Sequence, residues 1–309
     1  MDSVSIVIPT LNRPIALARA LASARTQTGV EDLDVEILVV DNSADGNARG
    51  GVEAAAAGPG HRTLYVSAPV PGVANARNAG VAAAKGHWIA FLDDDEEAAP
   101  DWLTSHVATA RRTGAAAIFG PVGAEAEDGR PIGPLAPYFS RLLDLQAGAA
   151  VTGRAAYLGT NNSMFERAAC LAGDTPFDTS MNEIGGEDTL LLKRLVEEGK
   201  RFAWSARGVV TEWVPERRLN WAYVRKRKFL SGQIRVLTHW KAQPVEWTRI
   251  AFWMAAGSIQ VALHGLSALI LSPFDPVRAE TARVKLNGGL GKLLWMRNRP
   301  ALYGSGLVS

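Results

Sequence analysis

Cysteine and histidine are scarce in this chain of 309 residues, which has one cysteine and five histidines. The single cysteine, Cys170, excludes an intrachain disulfide framework and a cysteine-based zinc site. The histidines show no metal-ligand spacing, and no Gly-x-Ser-x-Gly nucleophile motif occurs. The glycine-rich run at 288–292 lacks the spacing and the Ser or Thr of a Walker loop. These absences disfavour zinc enzymes, serine hydrolases and P-loop enzymes.

Neither sign of charge is in clear excess, since the chain has 33 Lys and Arg against 31 Asp and Glu. A net charge of +2 does not suggest a nucleic-acid partner, and 47% apolar residues exclude a mainly disordered chain. The first residues lack a basic leader and pass directly into an apolar run, so we expect no secretory signal. Cytoplasmic residence is the default expectation.

Residues 4–121 alternate short β-rich runs with helical patterns. Strands are predicted at 4–8, 35–40, 64–66, 88–92 and 117–119, with helices at 14–25, 52–57, 73–84 and 102–112. A Gly- and Pro-rich connection covers 120–159, followed by a predicted helix at 190–198 and a strand at 202–205. This βαβ rhythm predicts an α/β fold with a mostly parallel sheet flanked by helices.

Three polar clusters follow predicted strands, at 9–13, 41–45 and 93–95. Ligands of open α/β sheets bind outside the carboxyl ends of the strands, so these clusters are expected at one rim. Asp93 and Asp95 lie two residues apart on an apparently extended segment and should point the same way, with Asp94 pointing elsewhere. Such a pair suits Mg²⁺ or Mn²⁺ bound to a diphosphate. An ordinary acidic loop before a helix explains the triplet equally well.

Two further motifs carry charge at predicted helix starts. The segment 71–80 offers a flexible entry, a helix N-terminus and Arg77, which suit an anionic ligand. Gly185 and Gly186 precede Glu187 and Asp188, and a carboxylate there could take a proton from an attacking hydroxyl. Ordinary helix capping explains each motif if it stands alone.

Taken in order, these five motifs resemble glycosyltransferase family 2, and the C-terminal segment resembles that of bacterial exopolysaccharide glycosyltransferases of the succinoglycan type. The resemblance spans roughly residues 4–215 and implies a GT-A fold, a Rossmann-like α/β architecture. It also implies a nucleotide-sugar donor, a divalent metal and inversion at the anomeric carbon. A dinucleotide fold and a sugar-nucleotide pyrophosphorylase fit less well, because the expected Gly-rich N-terminal loop is missing.

The resemblance also implies roles for individual residues. Asp188 would be the general base, and Glu187 would orient hydroxyl groups. Asp95 and Asp93 would ligate the metal, with Glu212 standing where many relatives carry a histidine before a Val-Pro pair. The donor side would comprise Pro9, Thr10, Asn12, Arg13, Asp41, Arg77, Asn78, Asp93, Asp94 and Arg217, with Arg218 as the alternative to Arg217 on the diphosphate.

The last third of the chain differs in character. Residues 217–241 interleave Lys and Arg with Trp, Tyr and Phe, and residues 250–271 carry no charge. Such a segment suits an anionic bilayer surface, and no nucleic-acid-binding motif accompanies it. We interpret 250–271 as an in-plane or re-entrant membrane helix, or as a homodimer contact, in preference to a full span.

We therefore predict a catalytic domain at 1–215 and a C-terminal helical, membrane-associating region at 216–309. The predicted activity is metal-dependent transfer of a hexose, such as glucose, from a UDP-sugar to a hydroxyl of a lipid-linked oligosaccharide in exopolysaccharide biosynthesis. The enzyme would work at the cytoplasmic face of the bacterial inner membrane. The alternative is a noncatalytic scaffold or binding protein of a polysaccharide assembly complex.

Overall fold

A seven-stranded sheet dominates residues 2–182 and 184–297, the part of the chain that the computed structural model describes. Its order is β3-β2-β1-β4-β8-β6-β9. A smaller sheet has the order β5-β10-β7. The strands are β1 Asp2–Thr10, β2 Leu33–Asp41, β3 Arg62–Ser67, β4 Trp88–Phe91, β5 Glu96–Ala98, β6 Ala117–Phe119, β7 Val122–Ala126, β8 Ser163–Glu166, β9 Phe202–Trp204 and β10 Val210–Val214.

Helices cover both faces of the large sheet. The last three described helices of the chain pack against one another and form a bundle. The helices are α1 Pro14–Arg25, α2 Arg49–Ala56, α3 Val73–Ala83, α4 Trp102–Thr113, α5 Arg167–Cys170, α6 Glu187–Glu197, α7 Trp221–Trp240, α8 Trp247–Leu271 and α9 Pro276–Leu293. The predicted α/β class is confirmed, with β1 parallel to β2 and β4, and β6 parallel to β9.

The strands are apolar on both sides because each face of the sheet carries a core. Along β1, Ile6 and Ile8 enter one core with α1 and α4, whereas Val7 enters the other core with α3 and α6. The one antiparallel member, β8, pairs with both β4 and β6. It brings Asn161 and Asn162, which precede it, to the carboxyl edge of β4.

The aspartate triplet does not extend its strand as expected. Strand β4 ends at Phe91, and residues 93–95 form a turn that leads into β5. The alternation of side chains holds only in extended backbone, so the expected pairing of Asp93 with Asp95 is wrong: Asp95 shares Arg13 with Asp94, and Asp93 contacts Arg77. All three face the same cavity, which is described below.

The C-terminal helices approach one another through glycines. A Cβ atom on Gly291 of α9 would lie 1.9 Å from the Phe229 carbonyl oxygen of α7, and one on Gly257 of α8 would lie 3.0 Å from the Gly289 carbonyl oxygen. The glycine run at 288–291 thus allows close helix packing. Residues 298–309, the end of the expected C-terminal region, lie outside the described part.

Helix α8 is long and apolar enough to cross a membrane: an 18-residue stretch of it has a mean hydropathy of 1.6 and is only 11% buried. It begins three residues before the uncharged stretch that the sequence indicated. Its outer face exposes Phe252, Ile259, Leu263, Leu266 and Ile270. These positions recur at helical spacing and form one apolar stripe.

Candidate active site

A cleft of about 510 Å³ lies at the carboxyl ends of β1, β2 and β4. It is closed on the other side by the start of α6, by β10 and by the first turns of α7. Its polar lining comprises Thr10, Arg13, Asn42, Arg77, Asp93, Asp94, Asp95, Glu96, Asn161, Asn182, Glu187, Asp188, Glu212, Arg218, Tyr223 and Arg227, and Pro9 also borders it. The expected juxtaposition of β1, the triplet and the Glu-Asp pair is therefore present.

Asp94 and Asp95 are held by Arg13, which follows β1. The Arg13 guanidinium lies 3.0 Å from Asp94 Oδ1 and 3.0 Å from Asp95 Oδ2, and the Thr10 hydroxyl donates to Asp94 Oδ2 at 2.8 Å. Burial raises the pKa of Asp94 to about 7. Both oxygens of Asp94 therefore already have partners in the protein, so Asp94 fixes the turn against β1.

Asp93 faces the opposite wall, where Arg77 of α3 joins it to Glu187. Arg77 Nη2 lies 3.3 Å from Asp93 Oδ1, and Nη1 donates to Glu187 Oε1 in a buried ion pair. Burial raises the pKa of Glu187 to about 7. Arg77 is thus enclosed by carboxylates, and its side chain links α3, the triplet and α6.

The N-terminus of α3 is occupied by a protein side chain. Asn182 Oδ1 accepts from Ala74 N at 2.9 Å and from Asn75 N at 3.3 Å. Gly72, with φ of 140°, has no room for a Cβ, which would lie 2.3 Å from the Asn182 side chain. Asn182 therefore takes up these amides, and Arg77 remains the predicted contact for an anionic ligand at this helix end.

Asp188 lies at the start of α6, half-buried beside Gly159. Its Oδ1 accepts from the Thr189 amide at 2.6 Å, whereas no hydrogen bond to Oδ2 occurs within residues 2–182 and 184–297. A Cβ on Gly159 would lie only 3.1 Å from Oδ2. Gly159 therefore leaves space next to Asp188 Oδ2, the carboxylate oxygen that has no hydrogen-bond donor among the described residues.

Glu96 and Glu212 form a second acidic group next to the triplet. Glu96 accepts from the Asn161 side chain at 2.9 Å, and Glu212 lies 4.0 Å from Arg218 Nη1, which also contacts Asp95 at 3.2 Å. Burial, reinforced by the neighbouring Asp95, raises the pKa of Glu212 to about 7. Several carboxylates therefore share a buried space, a setting that favours binding of cations.

The donor set fits a hard divalent cation shared with a ligand. Asp93, Asp95 and Glu212 offer only oxygen atoms, which Mg²⁺ and Mn²⁺ prefer. Within the described ranges, no three acidic, His or Cys side chains already form a coordination group. Mg²⁺ commonly takes one or two carboxylates and completes its shell with water and substrate phosphates, so two of these residues would suffice.

Four residues of the predicted donor set lie outside the cleft lining. Asp41 is fully buried, where it accepts from Ser43, from the Ala48 amide and from Tyr65. The Asn78 side chain bonds both backbone polar groups of Phe177. Asn12 and Arg217 line a smaller neighbouring pocket. For these four residues, donor binding remains a prediction.

In two places the cleft is lined by the neighbour of a residue that was predicted for the donor site. Asn42 donates to the Ala68 and Val70 carbonyls and accepts from the Gly72 amide, so it lines the cleft in place of Asp41. Arg218 contacts Asp95, whereas Arg217 lines the smaller neighbouring pocket. Adjacent side chains point in different directions, and the sequence alone did not indicate which of the two faces inward.

The first turns of α7 also contribute to the cleft, beyond the predicted boundary at residue 215. Tyr223 and Arg227 line it, and Arg227 donates to the Tyr138 carbonyl at 3.1 Å. Neither residue belongs to a recognisable motif. The division of the chain at 215 stays a prediction.

Comparison with known proteins decides the family. The profile described as "Glycosyl transferase family 2" matches residues 5–171. The chain belongs to glycosyltransferase family 2. It is 36% identical over 234 residues to the succinoglycan biosynthesis protein ExoM of Rhizobium meliloti, covering 74% of this chain and 73% of ExoM. It is 31% identical over 210 residues to ExoO of the same organism, covering 66% of this chain and 58% of ExoO.

Solved structures of other proteins share the fold. The mannosyltransferase PcManGT of Pyrobaculum calidifontis, in complex with GDP-Man and Mn²⁺, superposes with a TM-score of 0.61 at 21% identity, covering 96% of this chain and 88% of PcManGT. S. aureus TarS (residues 1–349) with UDP gives 0.57 at 17% identity, covering 94% and 89%. The predicted GT-A fold is thus confirmed, and this family 2 member is a glycosyltransferase related to succinoglycan biosynthesis enzymes.

Proposed function

We propose that this glycosyltransferase moves a hexose, such as glucose, from a UDP-sugar to a hydroxyl of a lipid-linked oligosaccharide during exopolysaccharide assembly. The observation that carries the proposal is the cleft itself, in which Asp95 and Asp188 face one space from opposite walls. The relation to ExoM supports the exopolysaccharide setting. The nucleotide and nucleotide-sugar complexes of TarS support a UDP-linked donor.

The reaction assigned to the cleft is a direct displacement with inversion. Asp188 Oδ2 takes the proton of the acceptor hydroxyl as its oxygen forms a bond to the anomeric carbon. The bond between that carbon and the diphosphate oxygen breaks, and UDP leaves with the electron pair. An α-linked donor would give a β-linked product. Gly159 leaves room for the hydroxyl beside Oδ2.

The leaving diphosphate would lie against the triplet and Arg218. Asp95, with Asp93 or Glu212, would hold Mg²⁺ or Mn²⁺, which neutralises charge on the diphosphate when bound. Arg218 lies 3.2 Å from Asp95 and adds a second cationic group on that side. Glu187, anchored by Arg77, would orient hydroxyls of the donor or acceptor.

The helical region supplies the proposed site of membrane contact. Its apolar stripe on α8 and its basic helix α7 suit a peripheral or re-entrant attachment at the cytoplasmic face of the inner membrane. A contact between two copies of the chain would cover the same stripe.

Calorimetric titration with several nucleotide sugars, each with and without Mn²⁺, tests this function. We expect Mn²⁺-dependent binding of a UDP-sugar and of UDP, and transfer to a lipid-linked glycan in the same conditions. Binding of no nucleotide sugar, with or without metal, would contradict the proposal and favour the noncatalytic scaffold.

A further inference from the structure

The three C-terminal helices gather positive charge on one side of their bundle. Helices α7 and α9 run in the same direction, since Arg225 contacts Glu280 near their starts and Gln233 bonds the Leu294 carbonyl further along. On α7, Lys228 and Arg235 are two turns apart. On α9, Lys285 and Lys292 have the same spacing. We call these four residues the cationic cluster.

Helix α8 brings the cluster together through its inner face. The Arg235 guanidinium lies 5.3 Å from the centroid of the Trp253 indole, and Lys292 Nζ lies 5.4 Å from the same centroid. Lys292 is buried and also donates to Gln260. Trp253 and Gln260 are two turns apart on α8, and Phe252 and Ile259, one residue before each, belong to the exposed apolar stripe.

Among the described residues, no carboxylate pairs with this charge. Within residues 2–182 and 184–297, none of the four cations has a salt bridge to Asp or Glu, although neighbours on the same helices do, as in the contact of Arg225 with Glu280. Burial, together with nearby cations, lowers the pKa of Lys228 and of Lys292. Lys228 and Lys285 are exposed beside the half-buried Arg235 and the buried Lys292, and cations grouped in this way without a paired carboxylate attract anions.

The cluster is also connected to the acceptor side of the cleft. Arg235 donates to the Ala156 carbonyl at 2.8 Å, and its guanidinium lies 5.3 Å from the centroid of the exposed Tyr157 ring. Gly159, two residues further on, borders Asp188. Arg227, which lines the cleft, precedes Arg235 by eight residues, or about 12 Å along α7.

We propose that the cationic cluster binds the phosphate groups of the lipid-linked acceptor. Its lipid chain would extend along the apolar stripe of α8, and its glycan would reach Asp188 past Tyr157. Arginine and lysine beside aromatic rings suit a phosphate at a bilayer surface. The inference deepens the proposed function and rests on its lipid-linked acceptor, but it assigns residues that have no part in donor binding.

Binding to vesicles tests the cluster directly. Full-length protein is sedimented with phosphatidylcholine vesicles that contain a small fraction of a polyprenyl diphosphate, and separately with vesicles that contain phosphatidylglycerol. The test variant is Lys228→Gln/Arg235→Gln. The matched control, Arg62→Gln/Lys85→Gln, removes two exposed charges from the amino edge of the sheet. The charge-retaining variant Lys228→Arg/Arg235→Lys checks whether positive charge is sufficient.

We expect the test variant to lose at least about tenfold in affinity for diphosphate vesicles relative to the control, with most of that loss restored by the charge-retaining variant. Its affinity for phosphatidylglycerol vesicles should fall much less, because there only the general attraction of α7 to an anionic surface is reduced. An equal loss on both vesicles would assign the cluster to bulk phospholipid and overturn the acceptor assignment. No loss on either would overturn any lipid-phosphate site.

A parallel titration with UDP and Mn²⁺ separates this inference from the proposed function. The test variant should bind UDP as the wild type does, because the cluster lies outside the cleft lining. If the wild type binds polyprenyl diphosphate through the cluster but binds no nucleotide, the proposed function fails and the lipid-phosphate site stands.

Discussion

Arg77 and Glu187 form a buried ion pair that joins α3 to the first turn of α6. Their side chains are 7% and 4% exposed, and Arg77 also contacts Asp93, so the pair sets the distance between the triplet and the Glu-Asp motif. Removing one partner of a buried pair leaves a charge without compensation. Such a loss typically costs about 3–5 kcal/mol.

The pair should therefore show strong coupling in a double-mutant cycle. Arg77→Met is expected to lower the free energy of unfolding by about 3 kcal/mol, and adding Glu187→Gln should restore a large part of it, since the stranded carboxylate is then neutral. Urea unfolding of the two single variants and the double variant measures this. Strictly additive losses would show that the two residues do not interact in solution.

Neighbouring aspartates of the triplet should respond differently to the same change. Asp95→Asn is expected to weaken Mn²⁺-dependent binding of UDP by about tenfold or more, because a carboxylate ligand is lost. Asp94→Asn, the matched control, should weaken it less, because Thr10 and Arg13 already occupy both Asp94 oxygens. Titration calorimetry compares them, and equal losses would argue against this division of roles.

Buried His106 predicts a pH-dependent difference in stability. Burial lowers its pKa from 6.5 to about 3, so the folded state holds the neutral ring while the unfolded chain protonates below pH 6.5. The contribution of His106 to the free energy of unfolding is present above pH 6.5 and is lost as the pH falls towards 3. Between pH 7 and pH 5 this loss amounts to about 2 kcal/mol.

His106→Phe should lack that loss. The difference in unfolding free energy between the variant and the wild type is therefore expected to shift by about 2 kcal/mol in favour of the variant when the pH is lowered from 7 to 5. The buried carboxylates have pKa values raised by burial, so they stabilise the fold as the pH falls, but both proteins share that effect and it cancels. Urea unfolding at the two pH values gives the difference, and a constant difference would contradict the account.

Close packing of α7 against α9 depends on Gly291. Gly291→Ala places a methyl group 1.9 Å from a carbonyl oxygen of α7 and should cost at least about 1–3 kcal/mol. Gly51→Ala in α2 is the control, because nothing lies within 4 Å of the added atom. That variant should be neutral or slightly stabilising. Thermal unfolding compares the two, and equal effects would show that the helix contact is loose.

The sequence predicted the regular part of the fold well because burial on both faces leaves a clear pattern. The strand at 117–119 agrees with β6 at both ends, and most other predicted elements agree to within a few residues. Strand β8 was missed, since its four residues follow a Gly-rich connection and its partners lie far away in the chain. The long basic segment gave no sign of a glycine-packed bundle.

At the site, motifs predicted which segments meet but less reliably which side chains face inward. Asp41 and Asn42 are neighbours, and the charged residue is the one that stabilises the turn. Arg218 rather than Arg217 contacts the triplet, because the short helical turn at 216–218 places Arg218 over Asp95. Inward orientation depends on turns and partners that a single sequence does not specify.

The central claim is that Asp188 removes the proton from the acceptor hydroxyl. Asp188→Asn preserves shape but not basicity, so transfer should fall by about 10²–10⁴-fold while the affinity for the donor stays within about threefold. Glu198→Gln, an exposed carboxylate at the other end of α6, should leave both unchanged. The decisive measurement is single-turnover transfer beside donor titration. Loss of transfer with intact donor binding is the predicted result, and retained turnover in Asp188→Asn would contradict the account.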